Sequence, residues 1–370
     1  MEEVAKPASD SSHTGRIHFP NLNGLRFFAA LAVIVFHVEV TKEWFGLPRR
    51  FDPILAHKVG HLGVILFFVL SGFLITYLLL DEKSRGPVRI WPFYVRRILR
   101  IWPLYYVIVI LGLYVFPQTT FFSWPGVPPE EVQSQIGMKT LLFVAFLPNL
   151  LAVLDFIPYA AQTWSIGVEE QFYLVWPHLM SRVRNKTALM LAIIFGQMAL
   201  GAFLWTLNLG PLMTPLLRDL YRHANFDCLA IGGLMAVGLY ESKRWIARLM
   251  TPLAFVAALA VSALLVATGP VFEYRTYAIP FAVIVLNFAA NPSMSTWLES
   301  KPLRYLGEIS YGLYMWHFVA IVLALQFLAR VGYWADIVLF PVSIVLSIAL
   351  AAASYRWLET PFLRMKRRFA

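Results

Sequence analysis

The stretch LRFFAALAVIVFHV, Leu25 to Val38, is apolar at every position except two, Arg26 and His37. Whether such a segment is a core helix or a membrane helix depends on the rest of the chain. Of 370 residues, 59% are hydrophobic and only 14% are charged, where an ordinary soluble domain carries about 25% charged residues. Runs with few charges recur along the whole length, which a soluble core cannot accommodate. A spanning helix needs roughly 20 mainly apolar residues. That ruler picks out ten stretches, near 23–41, 60–80, 100–116, 165–181, 187–206, 225–240, 250–268, 275–290, 305–328 and 336–355. The fold class expected is all-α, a polytopic membrane protein with about ten transmembrane helices. An eleventh stretch, 138–158, is interrupted by Pro148, Asn149, Asp155 and Pro158. It reads as a re-entrant or partial segment, because irregular backbone at membrane depth is tolerated only inside protein or beside water.

Ten spans place both termini on one side, and the basic residues say which. One set of loops, with Arg26 at its membrane edge, holds 22 of the 31 Lys and Arg residues. Positive charge collects on cytoplasmic loops, so both termini are expected in the cytoplasm and the chain in the plasma membrane as a multi-pass protein. Counting 138–158 as a full span would move SRVRNK and ESKRWIAR outward and weaken the asymmetry. The net charge of +10 is thereby explained by topology, without nucleic acid. A single cysteine, Cys228, excludes an internal disulfide framework and argues against a thiolate metal cluster. No metal site is expected. Residues 1–20 are polar and show no cleavable leader, so the first hydrophobic segment serves as the insertion signal. They read as a flexible cytoplasmic tail, and 21–370 as a single membrane-embedded domain. The outward loops at 42–59, 117–137 and 207–224 are too short for a second enzyme.

Ionisable residues inside a bilayer mark a functional site or a buried pair. Arg26 and His37 are 11 residues apart. At 100° per residue they project from nearly one face, about 20° past three full turns, with an axial separation of roughly 16 Å. An arginine snorkelling to the inner headgroups and a histidine closing a buried hydrogen bond fit that spacing as well as a functional pair does. The fourth segment, QTWSIGVEEQFYLVWP, tips the balance. It descends from the outer face, so Glu169 and Glu170 lie one to two turns below it, at the expected depth of His37. An imidazole and a carboxylate at one depth suit a base and its orienting partner. Adjacent glutamates point about 100° apart, so one of them faces His37. Pairing with an arginine such as Arg26 or Arg275 is the competing reading.

On the cytoplasmic side, YVRRILRIWPLYY carries Arg97 and Arg100 three residues apart, on one helical face. Two guanidinium forks suit a phosphate or pyrophosphate, and a purely topogenic role has about equal weight. FFVLSGFLIT puts Ser71 and Gly72 at mid-membrane, where small residues also serve close helix approach. EISYGLYMWHF adds Glu308, Ser310, Tyr311 and His317; the histidine reads as a packed, structural one. Trp164, Trp124 and Trp44, near the outer face, could stack on sugar rings, although an interfacial aromatic belt accounts for them better.

Arg26-x10-His37, SGFLIT, Arg97-x2-Arg100, TWSIGVEEQFYLVWP, SYGLYMWHF and a closing ETPF follow one another in this order. That series resembles the acyltransferase 3 family of integral membrane O-acyltransferases, from about Leu22 to Phe362. The resemblance implies ten core helices, cytoplasmic acyl-CoA as donor substrate with no permanently bound cofactor, and transfer of an acyl group, most often acetyl, to a hydroxyl of a carbohydrate beyond the membrane. It implies that Arg26 and His37 form the Arg/His motif of the first helix, with His37 essential. Arg97 and Arg100 match the paired arginines that meet the CoA nucleotide. Glu169 matches the regular acidic position and Glu170 the more variable one. Lipid bilayer, acyl-CoA, a carbohydrate acceptor and envelope-biosynthesis proteins are the implied partners. The mechanism expected has His37, oriented by Glu169, deprotonating the acceptor hydroxyl; an acyl-His37 or acyl-Ser71 intermediate stays open. The rival from another class is a proton-coupled transporter or flippase of a glycan or lipid-linked substrate, with buried Arg, His and Glu as its relay.

Overall fold

In the computed structural model, residues 17–19, 21–268, 274–294, 296–332, 335–366 and 369 are described, with backbone alone at 53–57. The expected tail at 1–20 lies almost wholly outside them. Among the described residues there is no β-strand, and seventeen α-helices form the molecule. The first half contains α1 (Leu22–Trp44), α2 (Pro53–Arg85), α3 (Ile90–Ile110), α4 (Pro129–Gln133), α5 (Ile136–Val144), α6 (Pro148–Leu154), α7 (Trp164–Arg182) and α8 (Lys186–Thr206). The second half contains α9 (Gly210–Arg222), α10 (Phe226–Tyr240), α11 (Arg244–Leu249), α12 (Pro252–Thr268), α13 (Ala278–Ala290), α14 (Lys301–Glu308), α15 (Ser310–Arg330), α16 (Asp336–Ser354) and α17 (Thr360–Lys366).

Each of the ten expected stretches is helical, but they are unequal. Six helical segments are long and apolar enough to cross a bilayer: Leu22–Trp44, Lys58–Arg85, Ile90–Gln118, Lys186–Thr206, Ser310–Arg330 and Asp336–Lys366. The stretches Pro252–Thr268 and Arg275–Ala290 are shorter apolar helices. Of the other two, α7 carries Glu169 and Glu170, and α10 has only 15 residues. The interrupted stretch resolves into α5 and α6, broken where Phe146 takes φ 55° and Pro148 opens the next helix. A proline has no N–H to continue the preceding ladder.

Two expectations change in detail. The ninth stretch, 305–328, is two helices, because α14 carries exposed Lys301, Arg304 and Glu308 and turns at Ile309 into the apolar α15. The outward loop 207–224 is largely helical. Arg218 of α9 donates to the carbonyls of Leu204, Trp205 and Leu207, satisfying acceptors that the end of α8 leaves open.

The most buried spans, α2 and α15, form the centre, and α8 and α16 lie at the perimeter. Outward-facing apolar side chains such as Leu253 (79% exposed) and Ile337 (78%) would be intolerable in such numbers in water and are ordinary against lipid. The closest backbone approach joins α2 to α10. A Cβ on Gly72 would stand 1.9 Å from the carbonyl oxygen of Leu229, and one on Gly232 would stand 2.1 Å from that of Val69. Gly72 is therefore a contact glycine, the packing role open to it from sequence. Gly72→Val should destabilise the protein by about 1–3 kcal/mol or more through overpacking, read as a lower melting temperature in detergent. An unchanged midpoint would refute that packing role.

Buried ion pairs fix the end of α1 away from Arg26. Lys42, 2% exposed, lies 3.1 Å from Glu39 and 2.6 Å from Asp336, tying α1 to α16. Lys139 pairs with Asp155 at 2.6 Å and donates to the carbonyls of Glu131 and Val132.

Candidate functional site

Five helices, α1, α2, α3, α7 and α15, surround a chamber that is partly open to solvent. Its polar lining is Arg26, Ser71, Arg97, Arg100, Ser165, Glu169, Tyr173, Ser310 and Tyr311, and Phe67, Phe68 and Tyr314 add ring surface. Seven residues singled out by sequence thus meet in one place: Arg26, Ser71, Arg97, Arg100, Glu169, Ser310 and Tyr311.

The electrostatics of the chamber favour an anion. Three guanidiniums converge on it, and among the described residues none of them makes a salt bridge within 4 Å. The Arg97 guanidinium lies over the rings of Phe93 (5.7 Å) and Tyr173 (5.6 Å), and its Nε is buried without a hydrogen-bond partner among the described residues. Like charges held together in a poorly solvated cavity repel strongly, and a polyanion relieves that repulsion. By contrast, Arg96 turns away and pairs with Glu82 at 3.3 Å.

Glu169 accepts hydrogen bonds from Ser71 Oγ at 3.0 Å and from Tyr173 OH at 2.7 Å. Each carboxylate oxygen therefore meets a hydroxyl, where an imidazole was expected. The reason lies in how the chain enters α7. Tyr159, Ala160, Gln162 and Thr163 are each at most 2% exposed, so this connection is folded into the protein and α7 begins deep inside it. Glu169 consequently shares the chamber with Arg26. Glu170 points elsewhere, accepting from Trp102 Nε1 at 3.1 Å.

His37 lies further along α1 and does not line the chamber. Its Nδ1 is 3.0 Å from the carbonyl oxygen of Val33. A carbonyl only accepts, so Nδ1 carries a proton and donates it to Val33. Its ring lies 4.7 Å from that of His317 and 4.5 Å from that of Phe318. Arg26 and Ser310 share the chamber while His37 and His317 touch, so α1 and α15 run in the same direction.

The tryptophans separate. Trp124, 5% exposed, is enclosed by rings including Phe318 (5.8 Å), Tyr159 (5.5 Å) and Phe156 (5.8 Å). Trp44 is 41% exposed and stacks on Phe156 at 5.5 Å. Trp164 packs edge-on against Phe68 and His223.

Sequence reasoning did not find Tyr173, Ser165, Tyr314 or the His37–His317 contact. Signals existed for two of them. Tyr173 is one turn beyond Glu169, and His317 is two turns beyond Ser310, on the same face. Ser165 and Tyr314 meet through their hydroxyls at 2.8 Å, a contact between distant segments that no local pattern announces.

A family model described as an acyltransferase domain, that of acyltransferase 3, matches residues 19–356. Among curated proteins, the peptidoglycan O-acetyltransferase OatA of Listeria monocytogenes is 27% identical over 94% of this chain and 56% of its own length. The O-acetyltransferase OatA of Staphylococcus aureus is 25% identical over 93% of this chain and 57% of its own. The chain thus spans just over half the length of these relatives. No solved structure matches it.

Proposed function

The chain belongs to the acyltransferase 3 family, and we propose that it is a plasma-membrane O-acetyltransferase. It moves an acetyl group from cytoplasmic acyl-CoA to a hydroxyl of a cell-envelope carbohydrate, with peptidoglycan as the first acceptor to test. The observation that carries this reading is the chamber, in which Arg26, Arg97 and Arg100 face one cavity, with Arg26 on α1, the helix that also bears His37. Relatives named as peptidoglycan O-acetyltransferases support the choice of group and acceptor.

In this reading the phosphates of acyl-CoA rest on the guanidiniums, and the pantetheine arm runs along α1 towards His37. Glu169, held by Ser71 and Tyr173, balances part of the positive charge and keeps the arginines oriented. Nε2 of His37 takes the proton of the acceptor hydroxyl as its oxygen attacks the thioester carbonyl. The C–S bond breaks, and the imidazolium returns the proton to the departing thiolate. The topology proposed with it has ten crossings, both termini cytoplasmic, and residues 21–370 as a single membrane domain, with envelope-biosynthesis proteins as partners. The common direction of α1 and α15 supports that arrangement, since first and ninth crossings must run the same way.

The test is direct. Purified protein in nanodiscs, given acetyl-CoA labelled in the acetyl group and soluble peptidoglycan glycan strands, should place label on the glycan. Label on no carbohydrate, with acetyl-CoA left intact, would sink the reading and favour transport.

A further inference from the structure

We propose that His317 reads the carbohydrate acceptor: its Nε2 accepts a hydrogen bond from a second donor, a hydroxyl or amide N–H, next to the hydroxyl that His37 deprotonates. This rests on the acyl-transfer reading above and adds a specificity residue to it.

Three observations carry the inference. The His317 ring is fully buried and lies 4.7 Å from the His37 ring, inclined by 33°. Its Nδ1 is 2.6 Å from the carbonyl oxygen of Tyr314, which fixes the proton on Nδ1 and turns Nε2 into a pure acceptor. Among the described residues, that Nε2 is buried with no hydrogen-bond partner. Packing accounts for the ring and the Tyr314 bond accounts for Nδ1, yet neither accounts for Nε2. An unsatisfied buried acceptor is disfavoured and rare in folded proteins, so its retention beside a proposed catalytic base points to a donor that arrives with the substrate.

The surroundings define that donor. Phe318 lies 4.5 Å from both imidazoles and Trp124 lies 5.8 Å from Phe318, so the pair sits against aromatic rings and away from the arginine chamber. A sugar fits, since it offers apolar C–H faces to rings and carries, beside the reacting hydroxyl, a further donor for His317 Nε2. One donor is consumed by chemistry at His37 and the other is only recognised at His317. A site built to pair a substrate donor rejects analogues that lack it far better than an apolar pocket could.

Two substitutions isolate Nε2. His317→Phe keeps an aromatic ring against His37 and Phe318, and His317→Asn keeps a donor for the Tyr314 carbonyl. Both remove Nε2: the Phe ring has no acceptor, and the Asn amide oxygen, with its NH2 on the Tyr314 carbonyl, stops short of the Nε2 position. With labelled acetyl-CoA and the glycan strands used above, each variant should show acceptor kcat/KM reduced by at least about tenfold, expressed mainly in acceptor KM. The KM for acetyl-CoA should stay within about twofold. Either variant retaining acceptor kcat/KM within about threefold of wild type overturns the proposal. So does loss of acetyl-CoA binding in both variants, which would make His317 a structural residue. Failure of the wild-type protein to label any glycan would instead overturn the acyl-transfer reading.

Discussion

Substituting alanine for His37 should reduce acetyl transfer by about 10²–10⁴-fold, the usual contribution of a positioned general base, and leave acetyl-CoA binding nearly unchanged. The two effects separate because His37 does not line the arginine chamber and stands about 16 Å along α1 from Arg26, three helical turns away. Its Nδ1 is held by the Val33 carbonyl, so the tautomer is set before substrate arrives and no reorganisation is needed at the moment of transfer. His37→Gln should be nearly as inactive as His37→Ala, since an amide accepts a hydrogen bond but does not take the proton. The measurement is single-turnover transfer from labelled acetyl-CoA, with binding followed separately by equilibrium titration. Transfer that survives either change within about tenfold would remove His37 from the proton step.

The parts of this site that were legible in the sequence are those set by helix periodicity. Arg26-x10-His37 and Arg97-x2-Arg100 each fall on one face whatever the tertiary structure, because 100° per residue is a local property. The ten apolar stretches were legible for a similar reason, since bilayer thickness imposes a length. Depth was harder to read. Counting down from an outer surface puts Glu169 at the level of His37. The buried connection through Tyr159, Gln162 and Thr163 starts α7 inside the protein, and Glu169 meets Ser71 and Tyr173. Where a helix begins relative to the membrane depends on tertiary packing of the preceding loop, and no periodic signal encodes that. The His37–His317 contact was hidden in the same way, because it depends on α1 and α15 being neighbours that run in one direction. The two-turn spacing from Ser310 to His317 is the one local signal that both face the same side of α15.

Replacing both Arg97 and Arg100 with alanine should raise the KM for acetyl-CoA by about 10²-fold or more, taking two charge-assisted contacts at roughly 1.5–3 kcal/mol each. The acceptor KM should stay nearly constant. Both guanidiniums line the chamber with Arg26, and neither makes a salt bridge among the described residues, so their forks are available to a phosphate group. Removing them also relieves their mutual repulsion, so the variant should melt no lower than wild type when no donor is present. Acetyl-CoA should raise the wild-type melting temperature and leave that of the variant unmoved, since a ligand stabilises only the state that binds it. Arg97→Lys with Arg100→Lys should recover only part of the affinity, because a lysine keeps the charge and loses the planar fork. A rise in acceptor KM with donor KM unchanged would place the carbohydrate, not the nucleotide, on these arginines and would reverse the direction proposed for the transfer path along α1.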